Sequence, residues 1–395
     1  MSDNLHLTRT QPLYGKTVAI VGGGPAGLTL ARLLQMNGVQ VQIFERSSSS
    51  NLLGRGGSLD LHVDSGQLAL RRCGLIGAFE AASRPDAQGN KVLDRHGIIK
   101  ADSDDRPEGE SKPEIDRGVL EDLLRRSLES DTVKTGKALL EVVPQGDGRH
   151  ALHFDNGTCV HADLVVGCDG IWSKVRSRIS DVQPAYTGVT FVETRLVDVE
   201  RTLPEIARLV GRGAVLSLGN RKGLLAQRNG DGSIRLYIAR RIGEHWARDA
   251  GLDFRDATST RAHLLSWFED WSPMLVSMLQ HSEDRFYPWP LYALSLSQPW
   301  DSLPGVTLIG DAAHVMPPFS GQGANMAMLD AVELADHLLS GRFESVGSAT
   351  SVFERVMFER MKPIIAGSLA TQDLMFADDA PTQLLALLDE SRVDE

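Results

Sequence analysis

Cysteine is scarce: Cys73, Cys159 and Cys168 are the only three in 395 residues. None sits in a Cys-x-x-Cys pair, so the spacings exclude a redox dithiol and the common zinc sites, and no metal is expected. The thiols are expected to be reduced and incidental, which suits a reducing, cytoplasmic setting. Positive charge is also short. Lys and Arg total 41 against 52 Asp and Glu, a net charge of −11. That argues against nucleic acid, whose phosphates require a basic surface. No apolar run reaches the roughly 18 residues of a membrane span. The stretch Met1 to Tyr14 lacks an apolar signal segment, and no lipidation motif closes the chain at Val393-Asp394-Glu395. Repeats are missing, and the one serine run, Ser47 to Ser50, suits a solvated loop. What is present is globular: 42% hydrophobic and 24% charged, long enough for two domains.

Periodicity sketches those domains. Lys16 to Val21 predicts a buried strand, Ala26 to Met36 a helix ended by Gly38, and Val39 to Phe44 a second strand. Such a βαβ unit crosses over right-handed into a parallel pair. Gly54 to Lys112 predicts loops and short helices, Gly118 to Leu128 a helix, and Val160 to Val166 another buried strand. From Ala185 to Arg241 short alternating segments, such as Val189 to Val197 and Ser233 to Ala239, predict an antiparallel sheet. Val306 to Ile309 returns to a parallel-type strand, and Ala324 to Leu339 is an amphipathic helix. The expected class is α/β: a Rossmann-like domain of residues 1–184 and 286–345, an inserted antiparallel β-rich domain of 185–285, and a helical segment of 346–395.

The turn after the first strand carries the first chemistry. Gly22, Gly24 and Gly27 fit G-x-G-x-x-G, with Pro25 and Ala26 opening the helix. The first glycine permits a tight turn, the second lets a pyrophosphate approach, and the third lets helix pack on strand. The helix N-terminus offers N–H groups and a positive dipole end. Glu45 closes the next strand, where a carboxylate suits ribose hydroxyls and repels a 2′-phosphate.

Two later motifs select the dinucleotide. Gly310-Asp311-Ala312-Ala313-His314 follows a strand, and Pro318, Gly321, Gly323, Ala324 and Asn325 lead into the long helix. Asp169-Gly170 continues to Ser173, Lys174, Val175 and Arg176. Together these resemble the three motifs of the para-hydroxybenzoate hydroxylase family, the class A flavoprotein monooxygenases. The resemblance implies FAD, with Asp311 on its ribityl or pyrophosphate side, the Gly323 helix start at the pyrimidine edge, and Asp169 serving both FAD and nicotinamide approach. His314 is expected to be structural. Segments around Asp60, Arg117 and Pro318-Phe319 are similar to the tetracycline-inactivating members. That closer match puts Asp60, Arg117 and Arg46 on FAD, and Pro318, Phe319 and Gly321 at the border of substrate and flavin.

The middle domain departs from those members. It offers Arg195, Arg212, Gln227, Arg235 and Tyr237 as substrate-facing candidates, with Phe319 as the apolar wall. Arginines aimed at a pocket suit an anionic or enolate-bearing aromatic; on the outer sheet face they are ordinary solvated charges. No second G-x-G-x-x-G exists, so NADPH or NADH is expected to dock transiently.

The resemblance implies that NAD(P)H reduces FAD, dioxygen adds at flavin C4a, and one oxygen atom passes to an electron-rich aromatic or polycyclic enol carbon, tetracycline-like compounds included. No side-chain catalytic residue is expected, because the flavin does the chemistry. A monomer or weak dimer is expected. A flavin oxidase or dehydrogenase without oxygen insertion, or a non-enzymatic flavin-binding regulator, stays open as an alternative.

Overall fold

Five parallel strands form the centre of the first layer, in the spatial order Val306–Leu308, Leu164–Gly167, Thr17–Val21, Gln40–Glu45, Val133–Thr135. They belong to a computed structural model that describes residues 11–48, 56–103, 111–297 and 299–390. Most of the Met1 to Tyr14 segment, Ser49 and Ser50, and the closing Val393-Asp394-Glu395 lie outside the described residues. The central strands are rich in Val and Ile and buried from Val18 to Val21 and from Leu164 to Gly167, as expected for a sheet covered on both faces. Helix Pro25–Gln35 starts with Pro at its first turn and buries Leu28, Leu30, Ala31 and Leu34. It packs on helix Gly323–Leu339, which buries Met328, Ala331, Leu334 and Leu338. The other face is covered by a three-stranded antiparallel sheet of Leu139–Pro144, His150–Phe154 and Cys159–Ala162. The single strand expected over Val160 to Val166 therefore breaks at Asp163, whose carboxylate binds Lys16 and Thr17; its two halves join different sheets.

A seven-stranded sheet forms the second layer, in the order Tyr287–Ala293, Ala185–Leu196, Ile234–Arg241, Lys222–Arg228, Ala214–Gly219, Asn90–Asp94, Ile99–Asp102. It is antiparallel except where Ala214–Gly219 runs parallel to Asn90–Asp94. The sheet reaches beyond residues 185–285 at both edges, and the Gly54 to Lys112 region contributes strands as well as loops. The physical reason is the edge: Asn90–Asp94 covers backbone groups of Ala214–Gly219 that an isolated insertion would leave open. One face buries Val192, Leu196, Leu224, Leu236 and Ile238 against helices Pro204–Val210, Ala257–Ser266 and Pro273–Gln280. The opposite face turns toward the first layer.

Helix Val346–Met375 links the layers. A capping box of Ser345 and Ser348 starts it. Near its middle Arg360 binds Asp330 and Glu333 of the Gly323–Leu339 helix. Further along, Ser368 donates to Pro317 O, Gln372 donates to Thr187 O, and Asp373 pairs with Arg241 of the second sheet. Among the described residues no helix is long and apolar enough to cross a membrane.

Candidate active site

Gly22 has φ +108, and a methyl there would lie 2.1 Å from Cys168 O. Only glycine lets the first strand end so close to its neighbour. The next residues form a cradle. Gly24 is the N-cap, no side chain caps it, and the first-turn N–H groups of Ala26 and Gly27 lack helical carbonyls. A guanidinium nitrogen of Arg117 lies 3.9 Å from the point where a Gly24 methyl would sit, while its Nε binds Glu121 at 2.9 Å. Glu45 receives the N–H of Gly23 and of Ser47, each at 2.8 Å. Arg46 follows it, exposed.

Asp311 is exposed at the start of a helical turn, at the carboxyl end of strand Val306–Leu308, where ligands gather in open parallel sheets. Gly310 before it has φ +62 and gives its N–H to Asp330 at 2.8 Å. Asp330 is fully buried and also binds His314 at 2.6 Å and Arg360 at 2.8 Å. His314 is thus held by Asp330, a buried carboxylate that motif reading missed and that also fixes Gly310 before Asp311. A lone carboxylate among the apolar positions of the 323–339 helix was its only signal.

The Asp169 motif is tied to this loop. Arg176, 2% exposed, donates to Ala312 O at 3.0 Å and to Ile171 O at 2.7 Å. The Asp169 carboxylate accepts from Ser173 Oγ at 2.5 Å and from the N–H of Lys174 at 2.7 Å, and burial raises its pKa. Asn325 is equally committed: Oδ1 accepts from the N–H of His62 and Gly66, and Nδ2 donates to the carbonyls of Asp60 and Gly321. Expected as cofactor ligands, both side chains instead bind protein, because a buried polar group takes the nearest backbone partner. They shape the site through the loops they hold.

Those loops bring the two layers together. Asp60 lies beside Gly321, 2.9 Å from where a methyl on that glycine would sit, and binds His62 at 3.0 Å. Pro318 and Phe319 form a short turn just before it. A methyl on Gly57 would lie 2.9 Å from Tyr237 Oη and 3.0 Å from Gln227 Oε1, so a bare backbone touches the inward face of the seven-stranded sheet. Above it is an aromatic wall. Phe191 meets Tyr237, Trp289, Phe319 and Phe376 with ring centroids 5.5, 5.8, 5.8 and 6.4 Å away. Burial and the Glu193 carboxylate push the Tyr237 phenol up, keeping it neutral.

The arginines expected to face substrate resolve differently. Arg235 is buried beside Gln227 and Tyr237, but it is paired with Glu193. Arg195 shares that face, farther along, and binds Asp231 and Ser233. Arg212 is 75% exposed at the surface and paired with Asp86, so it joins the solvated charges instead of the pocket. Each of these three arginines is paired with a carboxylate from another segment, Asp231, Glu193 or Asp86, so none of them offers a free charge to an anion. Glu193, Phe191, Trp289 and Phe376 were missed; Phe376 arrives from the far end of the chain.

The cradle fits a dinucleotide. It offers uncapped helix N–H groups at Ala26–Gly27 and Gly323–Ala324, a guanidinium over the glycine turn, and the Glu45 carboxylate beside Gly23. Arg125 lies by Gly23 with a buried Nε that finds no protein partner, and Gln322 Oε1 and Ser320 Oγ are likewise unmet. A separate, polar cavity of about 500 Å³ lies around Gln35, Gln40, Lys134 and His161. It opens at the amino ends of the strands, away from every motif.

Residues 16–342 match the family model described as an FAD binding domain. A curated relative, Monooxygenase penA of Penicillium thymicola, is 30% identical over 90% of this chain and 91% of its own. The 6-hydroxynicotinate 3-monooxygenase of Pseudomonas fluorescens is 27% identical over 80% of this chain and 81% of its own. The crystal structure of tetracycline destructase Tet(51) superposes with a TM-score of 0.70 at 18% identity, covering 92% of each chain, which is a likeness of fold.

Proposed function

Because the chain belongs to this family of FAD-dependent monooxygenases, we propose that it uses NAD(P)H and dioxygen to hydroxylate an aromatic or polycyclic phenol or enol. The observation that carries this reading is Gly57. Its loop holds Asp60 beside Gly321 on the dinucleotide side and presses bare backbone against Tyr237 and Gln227 on the aromatic side. A ligand at this junction meets helix N–H groups on one hand and stacked rings on the other.

FAD bound here supplies the redox chemistry and the activation of dioxygen. The residues of the chain bind, orient and exclude water. Gly22, Gly24, Pro25, Ala26 and Gly27 admit the pyrophosphate, Arg117 compensates its charge, and Glu45 takes ribose hydroxyls, with Arg46 at the adenosine end. Asp311 faces the ribityl side. The N–H groups of Gly323 and Ala324 favour negative charge at the pyrimidine edge. Phe191, Tyr237, Trp289 and Phe319 orient a flat ring and keep the site dry. An aromatic substrate is supported by the 6-hydroxynicotinate enzyme among the relatives, and a polycyclic one by the fold shared with the destructase. Transient docking of NADPH or NADH is supported by the single glycine motif. Cytoplasmic residence is supported by the scarcity of cysteine, three in the chain with no Cys-x-x-Cys pair. A monomer or weak dimer completes the reading.

The test is product analysis after turnover with isotopically labelled dioxygen, a panel of phenols and polycyclic enols, and NADPH or NADH. One labelled oxygen atom in the product supports the proposal. Label found only in hydrogen peroxide, with the aromatic unchanged, refutes it.

A further inference from the structure

On the inward face of the seven-stranded sheet, strands Ala185–Leu196 and Ile234–Arg241 present Arg195, Arg235 and Arg241. Each is already paired: Arg195 with Asp231, Arg235 with Glu193, Arg241 with Asp373. Among the described residues two more guanidiniums lie near Gly57: Arg117 binds Glu121 and faces the glycine turn, and Arg84 pairs with Asp116 and donates to Ser58. Arg235 matters most. It is 2% exposed, it lies across the ladder from Gln227, and its aliphatic stem reaches 3.7 Å from the Gly57 methyl position. Glu193 follows Phe191 by two residues and so shares the face of the aromatic wall.

We propose that this site selects aromatic substrates carrying no fixed negative charge, and that Glu193 enforces the choice by neutralising Arg235. The inference rests on the hydroxylase reading above and names its substrate class. Among the described residues, a ligand carboxylate entering here finds no cation without a carboxylate partner. It either stays desolvated without a partner or displaces Glu193, which strands a different buried anion. A neutral phenol, enol or amide loses less on desolvation and stacks on Trp289 and Tyr237, which Phe191 backs, with Gln227 Oε1 and Tyr237 Oη in reach for hydrogen bonds. Gln227 and Tyr237 then recognise polar atoms without demanding charge.

The experiment compares 1-naphthol with 1-hydroxy-2-naphthoic acid, which differ by one carboxylate. Binding to the FAD-loaded protein is read from quenching of tryptophan fluorescence without NADPH, so it does not depend on oxygen insertion. The wild type is expected to favour the naphthol by at least about tenfold. Glu193→Gln frees Arg235 and should move the affinity ratio toward the acid by at least about tenfold. The double variant Glu193→Gln with Arg235→Met restores neutrality and should restore the preference for naphthol. If the single variant does not fold, the wild type and the double variant decide. A wild type that binds the acid equally well, binds neither ligand saturably, or keeps its ratio in Glu193→Gln overturns the inference. Preferential naphthol binding with no labelled oxygen in any product leaves it standing and overturns the hydroxylase reading instead.

Discussion

Replacing Asp330 by Asn tests whether a carboxylate outside every motif holds the Asp311 loop. The side chain is fully buried and uses both oxygens: Oδ2 receives the Gly310 N–H at 2.8 Å and His314 at 2.6 Å, and Oδ1 receives Arg360 at 2.8 Å. An amide has one acceptor and one donor end. If its oxygen stays on Gly310 and His314, its NH₂ faces the Arg360 guanidinium, donor against donor. Arg360 keeps Glu333, so its charge is not stranded, yet a buried charge-assisted contact is lost. Losing such a charge-assisted hydrogen bond costs about 1.5–3 kcal/mol. Asp311→Asn provides the contrast, because Asp311 is exposed. Its loss should change stability by less than about 0.5 kcal/mol, as for an ordinary surface position. It should weaken FAD by about 1.5–3 kcal/mol, roughly 10- to 150-fold in Kd. Urea unfolding of the apoproteins gives the first quantity and flavin titration the second. Asp330→Asn with unchanged stability, or Asp311→Asn with lost stability and unchanged FAD affinity, would refute the division of labour argued here.

Three further outcomes follow from the same geometry. Arg176→Met keeps much of the volume but leaves the carbonyls of Ala312 and Ile171 unmet, so unfolding in urea should need about 1–3 kcal/mol less per carbonyl. Burial raises Glu114 to about 7, with Ser58 hydrogen-bonded to it and Asp60 and Asp116 nearby. A carboxyl raised from 4.5 in the unfolded chain stabilises fully below that value and loses the effect as pH climbs through 7. Stability should therefore fall between pH 5 and pH 8, by about 2 kcal/mol after allowing for partial exposure, and Glu114→Gln should flatten that slope in parallel urea titrations. Gly57→Ala would drive a methyl into Tyr237 Oη and Gln227 Oε1, 2.9 and 3.0 Å away. Steady-state kinetics should show kcat/KM for the aromatic down at least about tenfold with flavin content retained; equal loss of both would put Gly57 on the cofactor side alone.

The dinucleotide half of the site was legible in the chain because its chemistry is local. Gly22, Gly24 and Gly27 act through backbone shape within one turn, and Glu45 and Asp311 each stand at the end of a strand recognisable from its own alternation or burial. The aromatic half was legible only as a region. Sheet faces follow from alternation, which rightly set Gln227, Arg235 and Tyr237 on one side. Alternation carries no information about what stands opposite.

The sequence by itself therefore determined the fold class, the family and its FAD cofactor, all of which rest on contiguous residues and short-range backbone geometry. The tertiary structure decided the rest. Arg235 found Glu193 on the next strand, Arg212 found Asp86 on a distant turn, Arg176 found Ala312, and Arg241 found Asp373 on the terminal helix. Residues 90–102 joined a sheet whose other strands begin at Ala185, and Phe376 closed the aromatic wall from near the end of the chain. A charge means attraction, repulsion or nothing according to its partner, and partners this far apart in sequence are brought together only by the packing of whole layers.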